Sequence, residues 1–113
     1  MDSEALKKRT KAFAVDIVKL FRELPKTDEG TIVGKQLLRS GTSVAANYRA
    51  VCRARSKAEF TSKMGIVVEE ADETVFWLEM LKDTAITQRA CQSNDFFVRQ
   101  MNCSPFLPLR SEP

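Results

Sequence analysis

The chain has 113 residues, of which 43% are apolar and 29% charged, and its formal net charge is +3. This length fits one domain with a working core and a thin stability margin. No apolar run approaches the roughly 20 residues that span a bilayer, and the charged N-terminus has no apolar signal core, so we expect a cytoplasmic protein that does not enter a membrane.

The first predicted helix covers residues 3–24, and Ser3 is its candidate N-cap. Its apolar residues recur at the three-four spacing of one helical face. They are Leu6, Phe13, Ile17, Leu20, Phe21 and Leu24. Pro25 ends this helix because its ring cannot continue the hydrogen-bond pattern.

A second predicted helix follows a polar linker over residues 25–30, with Asp28 or Thr31 as the candidate N-cap. One stripe of this helix is Val33, Leu37, Gly41, Val44, Tyr48 and Val51. The spacing continues through Gly41, which allows a continuous helix with a close contact at that glycine. Alternatively, the helix is kinked there, or divides into two helices with Thr42 or Ser43 capping the second. The glycine and its two hydroxyl neighbours favour a local bend.

The third predicted helix begins with a capping box, in which Ser56 is the N-cap and Glu59 follows three residues later. An unbroken heptad stripe then runs along it at alternating steps of four and three. It consists of Phe60, Met64, Val67, Ala71, Thr74, Leu78 and Leu81. Further apolar residues lie off this stripe, at Ile66, Val68, Phe76, Trp77 and Met80. Two apolar faces indicate that this helix contacts two neighbours.

The periodicity weakens after Asp83, where residues 85–101 predict a short or irregular fourth helix. The segment from Ser104 onward is typical of an extended tail. The predicted fold class is therefore all-α: an antiparallel up-and-down four-helix bundle in residues 1–103, followed by a C-terminal tail in residues 104–113.

Charge is distributed unevenly, because residues 1–57 carry a net +7 and residues 58–113 a net −4. One interpretation is inter-helix pairing. Its residues are Arg39, Arg49, Glu69, Glu70 and Glu73. The second interpretation of this charge distribution is a nucleic-acid site in which basic side chains follow a phosphate backbone. Its residues are Arg49, Arg53, Arg55, Lys57 and Lys63, which Lys7, Lys8, Arg9 and Lys11 would extend if they point the same way. Pairing is favoured because the acidic residues lie on a helix of matching pitch.

Three apolar residues on the third helix form a candidate oligomer interface, namely Phe76, Trp77 and Met80. Tryptophan is common among the residues that dominate binding energy at interfaces. The alternative is that Phe76 and Trp77 belong to the core of the chain. Because the heptad stripe already supplies a core face, a contact with another subunit or with the first helix remains open.

Residues for catalysis or metal binding are not evident. The chain has no histidine, and no nucleophile–base pair or phosphate loop is visible. The carboxylates at positions 69–79 crowd one helix and lack the histidines of di-iron bundles. The three cysteines, Cys52, Cys91 and Cys103, have no metal-like spacing and are interpreted as free thiols. We therefore expect a protein without enzymatic activity, cofactor or small-molecule substrate.

Residues 36–81 contain RSGTSVAANY, then ARSKAEF, then EEADET. This order resembles the four-helix-bundle proteins encoded in intervening sequences of bacterial 23S rRNA genes. The resemblance implies an antiparallel bundle, a cyclic homopentamer and a biochemical role that is largely unassigned. A more distant similarity is to the accessory protein of diversity-generating retroelements, which implies a possible partnership with nucleic acid. The segment after residue 86 departs from the family pattern, either as a diverged helix or as a tail read in a shifted frame.

The expected function is thus a non-enzymatic oligomeric scaffold or interaction protein that associates with itself, with a homopentamer as the implied assembly. The alternative is an accessory protein that binds RNA or DNA through a basic rim.

Overall fold

The computed structural model describes residues 3–86, which form three helices and no strand. The helices are α1 (Ser3–Glu23), α2 (Asp28–Cys52) and α3 (Lys57–Asp83). The predicted all-α class is confirmed. The predicted fourth helix, apart from its first two positions, and the predicted tail lie outside the described residues. Among the helices that the structure describes, none is long and apolar enough to cross a membrane.

Helices α1 and α2 pack antiparallel and very closely. A Cβ atom built on Gly41 would lie 2.9 Å from both Cγ1 and Cγ2 of Ile17, and one on Gly34 would lie 2.7 Å from Cδ1 of Leu24. Residue numbers rise along α1 from Ile17 to Leu24 while their partners on α2 fall from Gly41 to Gly34, so the two helices are antiparallel. The short connection after Leu24 requires this arrangement. The close contact at Gly41, which was the less favoured of the two predicted alternatives, is therefore present.

Helix α2 runs without a break through Gly41, so the interpretation of two helices capped by Thr42 or Ser43 is wrong. The hydroxyl groups of Ser40 and Thr42 instead donate to the carbonyl oxygens of Leu37 and Leu38, at 3.3 and 2.8 Å. These bonds satisfy the hydroxyls inside the helix, which removes the reason for a new helix start.

The predicted N-cap of α2 is also wrong. Thr27 caps the helix, since its Oγ1 accepts a hydrogen bond from the backbone N–H of Gly30 at 3.1 Å. Asp28 and Glu29 then lie in the first turn, where the helix dipole favours negative charge.

The start of α3 agrees with the capping-box prediction. The Ser56 hydroxyl accepts from the backbone N–H of Glu59 at 3.0 Å. The Glu59 carboxylate accepts from the N–H of Arg55 at 2.9 Å, one residue before the position that the usual capping box uses. Six of the seven predicted stripe residues are buried, but Phe60 is 45% exposed. Phe60 lies in the first turn of α3, at one end of the bundle.

The C-terminal end of α3 is a Schellman motif. The N–H of Ala85 donates to the carbonyl of Lys82, and the N–H of Ile86 donates to the carbonyl of Leu81, both at 3.1 Å. Ala85 takes the left-handed conformation with a φ of 58°. The partly buried side chain of Ile86 packs against the core.

The core is one cluster to which all three helices contribute. Helix α2 lies between α1 and α3, whose backbones do not approach each other closely within residues 3–86. The buried apolar side chains of the cluster are Leu6, Phe13, Ile17, Leu20, Leu24, Leu37, Val44, Tyr48, Val51, Met64, Val67, Ala71, Leu78 and Leu81. Because two short connections join antiparallel helices, the start of α1, the end of α2 and the start of α3 share one end of the bundle.

Candidate interaction surfaces

The shared end of the three helices gathers most of the basic residues of the described chain. We call this surface the basic end. It consists of Lys7, Lys8 and Lys11 from α1, Arg49 from α2, Arg53 and Arg55 from the connection, and Lys57 and Lys63 from α3. The five residues of the predicted nucleic-acid site therefore share one end with the three lysines of α1.

A groove between α1 and α2 opens on the basic end, with a volume of about 270 Å³. We call it the α1–α2 groove. Its lining residues are Glu4, Lys7, Lys8, Lys11, Ala45, Ala46 and Arg49. The two alanines carry little side-chain bulk, so space remains between the basic side chains of the facing helices.

A second groove, the α2–α3 groove, has a volume of about 360 Å³. Its lining residues are Ala50, Arg53, Arg55, Glu59 and Lys63. Glu59 is occupied by the cap of α3 and by Lys63, whose Nζ lies 3.9 Å from its carboxylate. The three basic side chains of this groove therefore face a single carboxylate that already has partners.

Most charges of the basic end have no acidic partner within residues 3–86. Lys7 pairs with Glu4 at 3.2 Å, and Lys63 pairs with Glu59. The remaining six cations have no ion pair in the described part of the chain. They are Lys8, Lys11, Arg49, Arg53, Arg55 and Lys57.

Inter-helix pairing occurs further along α2, at Arg39. Its Nη1 lies 3.2 Å from Oε1 of Glu70, and its Nη2 contacts Oε2 of Glu73. The indole N–H of Trp77 donates to the same Glu73 carboxylate at 3.1 Å. The Trp77 hydrogen bond and then the Arg39 guanidinium lower the pKa of Glu73, while the hydrogen bond to Glu73 raises the pKa of Arg39. This network ties α2 to α3 and orients Trp77.

The other predicted pairing residues, Arg49 and Glu69, are not brought together. Arg49 lies ten residues after Arg39, so in an antiparallel pair it is level with the start of α3 rather than with Glu69. Its side chain lines the α1–α2 groove, and Glu69 has no ion pair within the described residues. The register of α2 against α3 thus leaves Arg49 on the basic end.

Helix α3 has a second apolar surface on the side opposite its buried stripe. Ile66 and Phe76 are 42% and 49% exposed, and Met80 is partly buried. Phe76 packs edge-to-face on Trp77, with ring centroids 4.8 Å apart. Trp77 also packs against the core, so of the predicted interface residues Phe76 is the most available to a partner. We call Ile66, Phe76 and Met80 the outer face of α3.

Sequence reasoning placed Ile66 off the core stripe but did not include it in the candidate interface. The signal was present, because at about 100° per residue Ile66, Phe76 and Met80 fall within an arc of about 80° on one side of the helix. A Cβ atom built on the neighbouring Gly65 would meet nothing within 4 Å beyond its chain neighbours and the backbone of its own helix. The packing of the described chain therefore gives no reason for a glycine at this position.

Within residues 3–86, no three carboxylates or thiols lie close enough together to hold a metal ion. The features that stand out are a closely packed helical core, a basic end with two grooves and an exposed apolar face on α3. They define an all-α helical protein whose candidate functional sites are binding surfaces.

The chain belongs to the family of 23S rRNA-intervening sequence proteins, whose family model matches residues 3–97. It is similar to a solved structure from Bacteroides thetaiotaomicron, a protein of unknown function from the S23 ribosomal protein family. The two share 36% identity with a TM-score of 0.77 over 94% of this chain and 98% of that chain. No curated protein matches the chain. The family resemblance predicted from residues 36–81 is confirmed.

Proposed function

We propose that this protein is a non-enzymatic scaffold or interaction protein that assembles with copies of itself. The observation that supports this proposal is the outer face of α3. Ile66 and Phe76 remain 42% and 49% exposed, although a core stripe on the same helix is already buried. Apolar surface removed from water contributes about 25 cal/mol per Å², which favours covering this face with a partner.

Gly65 supports the same proposal. A glycine in the interior of a helix costs about 1 kcal/mol relative to alanine. Since nothing beyond its chain neighbours and the backbone of its own helix lies within 4 Å of the position of its missing Cβ, close packing within one chain does not require it. The close approach of another subunit would give this glycine a structural role. Five copies are proposed as the assembly because the family resemblance implies a homopentamer.

The mass of the full chain in solution tests this proposal, by size-exclusion chromatography with light scattering. We expect a mass five times that of one chain for the wild type. Phe76→Glu should lower this mass, because it places a charge in the proposed interface. Ile32→Glu is the matched control, since Ile32 is an exposed apolar residue on a different helix, 64% accessible. A wild-type monomer at all concentrations, or an equal loss of mass in both variants, would contradict the proposal.

A second candidate function is an accessory protein that binds nucleic acid, and the basic end favours it. Six cations without an ion pair in residues 3–86 lie together on this end, where phosphate groups could neutralise them. A mobility-shift assay with RNA and with DNA tests this candidate. The absence of binding at about 50 mM salt would exclude it, because phosphate contacts gain affinity steeply as salt falls.

A further inference from the structure

We propose that the ligand of the basic end is the phosphate backbone of a double-stranded nucleic acid, which lies across the α1–α2 and α2–α3 grooves. This inference rests on the second candidate function and goes further, because it names the lysines of α1 as contacts and a duplex as the ligand. Duplex RNA and duplex DNA share the phosphodiester chemistry on which recognition would depend.

The two grooves are joined at the end of α2. Arg49 lines the α1–α2 groove and Arg53 lines the α2–α3 groove. Four residues apart at the end of a helix, they are separated by about 6 Å along its axis. Neighbouring helix axes lie about 8–10 Å apart, so the three helices span on the order of 20 Å at this end. Each strand of a duplex carries one phosphate per about 3.4 Å of the duplex axis, so this width can meet several of them.

The charges in the grooves suit phosphate ligands. Lys8 and Lys11 line the α1 side of the α1–α2 groove, and Arg49 lines its α2 side together with Ala45 and Ala46. None of the three basic residues has an ion pair within residues 3–86. Lysine ammonium groups act as point charges, and arginine can donate two parallel hydrogen bonds to one phosphate. Contacts of this kind position a duplex without reading its bases, so we expect binding that is independent of sequence.

The absence of aromatic residues from the groove linings favours a duplex over a single strand. Proteins that bind single strands stack unpaired bases on aromatic side chains. No aromatic residue lines either groove in the described chain. Tyr48 and Phe13 are buried, and Phe60, which is exposed, lines a different pocket. Phe60 therefore lies at the same end of the bundle but outside both grooves. A duplex stacks its bases internally, so it does not need aromatic side chains in the grooves.

The test measures binding of the full chain to fluorescent nucleic acids by anisotropy over a range of salt concentrations. The probes are a duplex RNA, a duplex DNA and the corresponding single strands, with lengths chosen so that each probe has the same number of phosphates. We expect at least one duplex to bind about tenfold more tightly than its single strands. Comparison of the two duplexes shows which backbone is preferred.

The variant for this test is Lys8→Gln/Lys11→Gln/Arg49→Gln, which removes three cations from the α1–α2 groove. The matched control, Lys19→Gln/Arg22→Gln/Lys35→Gln, removes two lysines and one arginine elsewhere on α1 and α2. The groove variant should reduce the slope of log affinity against log salt by about 2–3, since each lost phosphate contact contributes about 0.9. The control should change the slope by less than one unit. Circular dichroism checks that both variants fold.

The outcomes separate this inference from the function on which it rests. If no probe binds at about 50 mM salt, the second candidate function is wrong, and this inference with it. If nucleic acid binds, but single strands bind as tightly as duplexes, only the inference is overturned. The inference alone is also overturned if the groove variant and its control show the same slope of log affinity against log salt. It is likewise overturned if polyglutamate competes for binding as well as a duplex of equal charge.

Discussion

Two helical glycines in opposite environments, Gly41 and Gly65, give a direct test of how α1 packs on α2. A Cβ at Gly41 would lie 2.9 Å from two carbons of Ile17, whereas one at Gly65 would meet nothing within 4 Å. Alanine at either position removes the conformational penalty of glycine in a helix. Within one chain, only alanine at Gly41 collides with a neighbour, so in the unassembled protein the two substitutions should have different effects on the free energy of unfolding.

The magnitudes follow from these environments. Glycine to alanine in a helix interior stabilises by about 1 kcal/mol, and this gain applies to both positions. Overpacking a core costs about 1–3 kcal/mol. Ile17 is only 1% exposed, so its side chain cannot turn out into solvent without leaving the core. We therefore expect Gly65→Ala to stabilise by about 1 kcal/mol and Gly41→Ala to destabilise by up to about 2 kcal/mol, as the balance of these two effects.

Urea denaturation measures this difference at a protein concentration at which light scattering shows unassembled chains, because alanine at Gly65 would also disturb the proposed subunit contact and assembly shifts apparent stability. With a slope of about 1–3 kcal/mol per M, the two midpoints should differ by roughly 1 M. Ile17→Ala removes both contacting Cγ atoms, so Gly41→Ala should be better tolerated in that background. If Gly41→Ala raises the midpoint as much as Gly65→Ala does, the close packing of α1 on α2 is wrong.

Two further predictions concern α3. Ala85→Gly should stabilise by up to about 1 kcal/mol, because glycine adopts the left-handed conformation of Ala85 without the steric cost of a Cβ; a lower urea midpoint would contradict this. Glu73→Gln should destabilise by less than about 1 kcal/mol at neutral pH, because the pair with Arg39 is partly exposed. The pKa of Glu73 is lowered by Trp77 and Arg39, so this contribution is present above the ordinary glutamate pKa and is lost as pH falls through the lowered value. The midpoints of wild type and Glu73→Gln should therefore converge in acid, and a constant difference between pH 7 and pH 3 would contradict the assignment.

The helices and the start of α3 could be predicted because they depend on neighbouring residues. Ser56 and Glu59 are three residues apart, and their capping bonds form within one turn. The stripe from Met64 to Leu81 follows from helical periodicity alone. Phe60 has the same spacing but is half exposed, because burial also requires a neighbouring element that covers the position.

The course of α2 could not be decided in the same way. Hydroxyl and glycine residues around position 41 allow a helix end, and they equally allow a continuous helix. The contact between Gly41 and Ile17 shows that the small residue serves close packing with another helix. A similar ambiguity affected the N-cap, where the sequence predicted Asp28 or Thr31 and the structure uses Thr27.

The helical class, the apolar faces, the capping box of α3 and the family could all be inferred from the residues alone. Which charges meet depends on how the helices pack. Arg39 finds Glu70 and Glu73, whereas Arg49 faces the lysines of α1 across a groove. The physical reason is that helical periodicity arises from contacts within one turn, while the partner of a surface charge depends on the register of two antiparallel helices. In this register the cations of the basic end lie close to one another, and most of them have no acidic partner within residues 3–86.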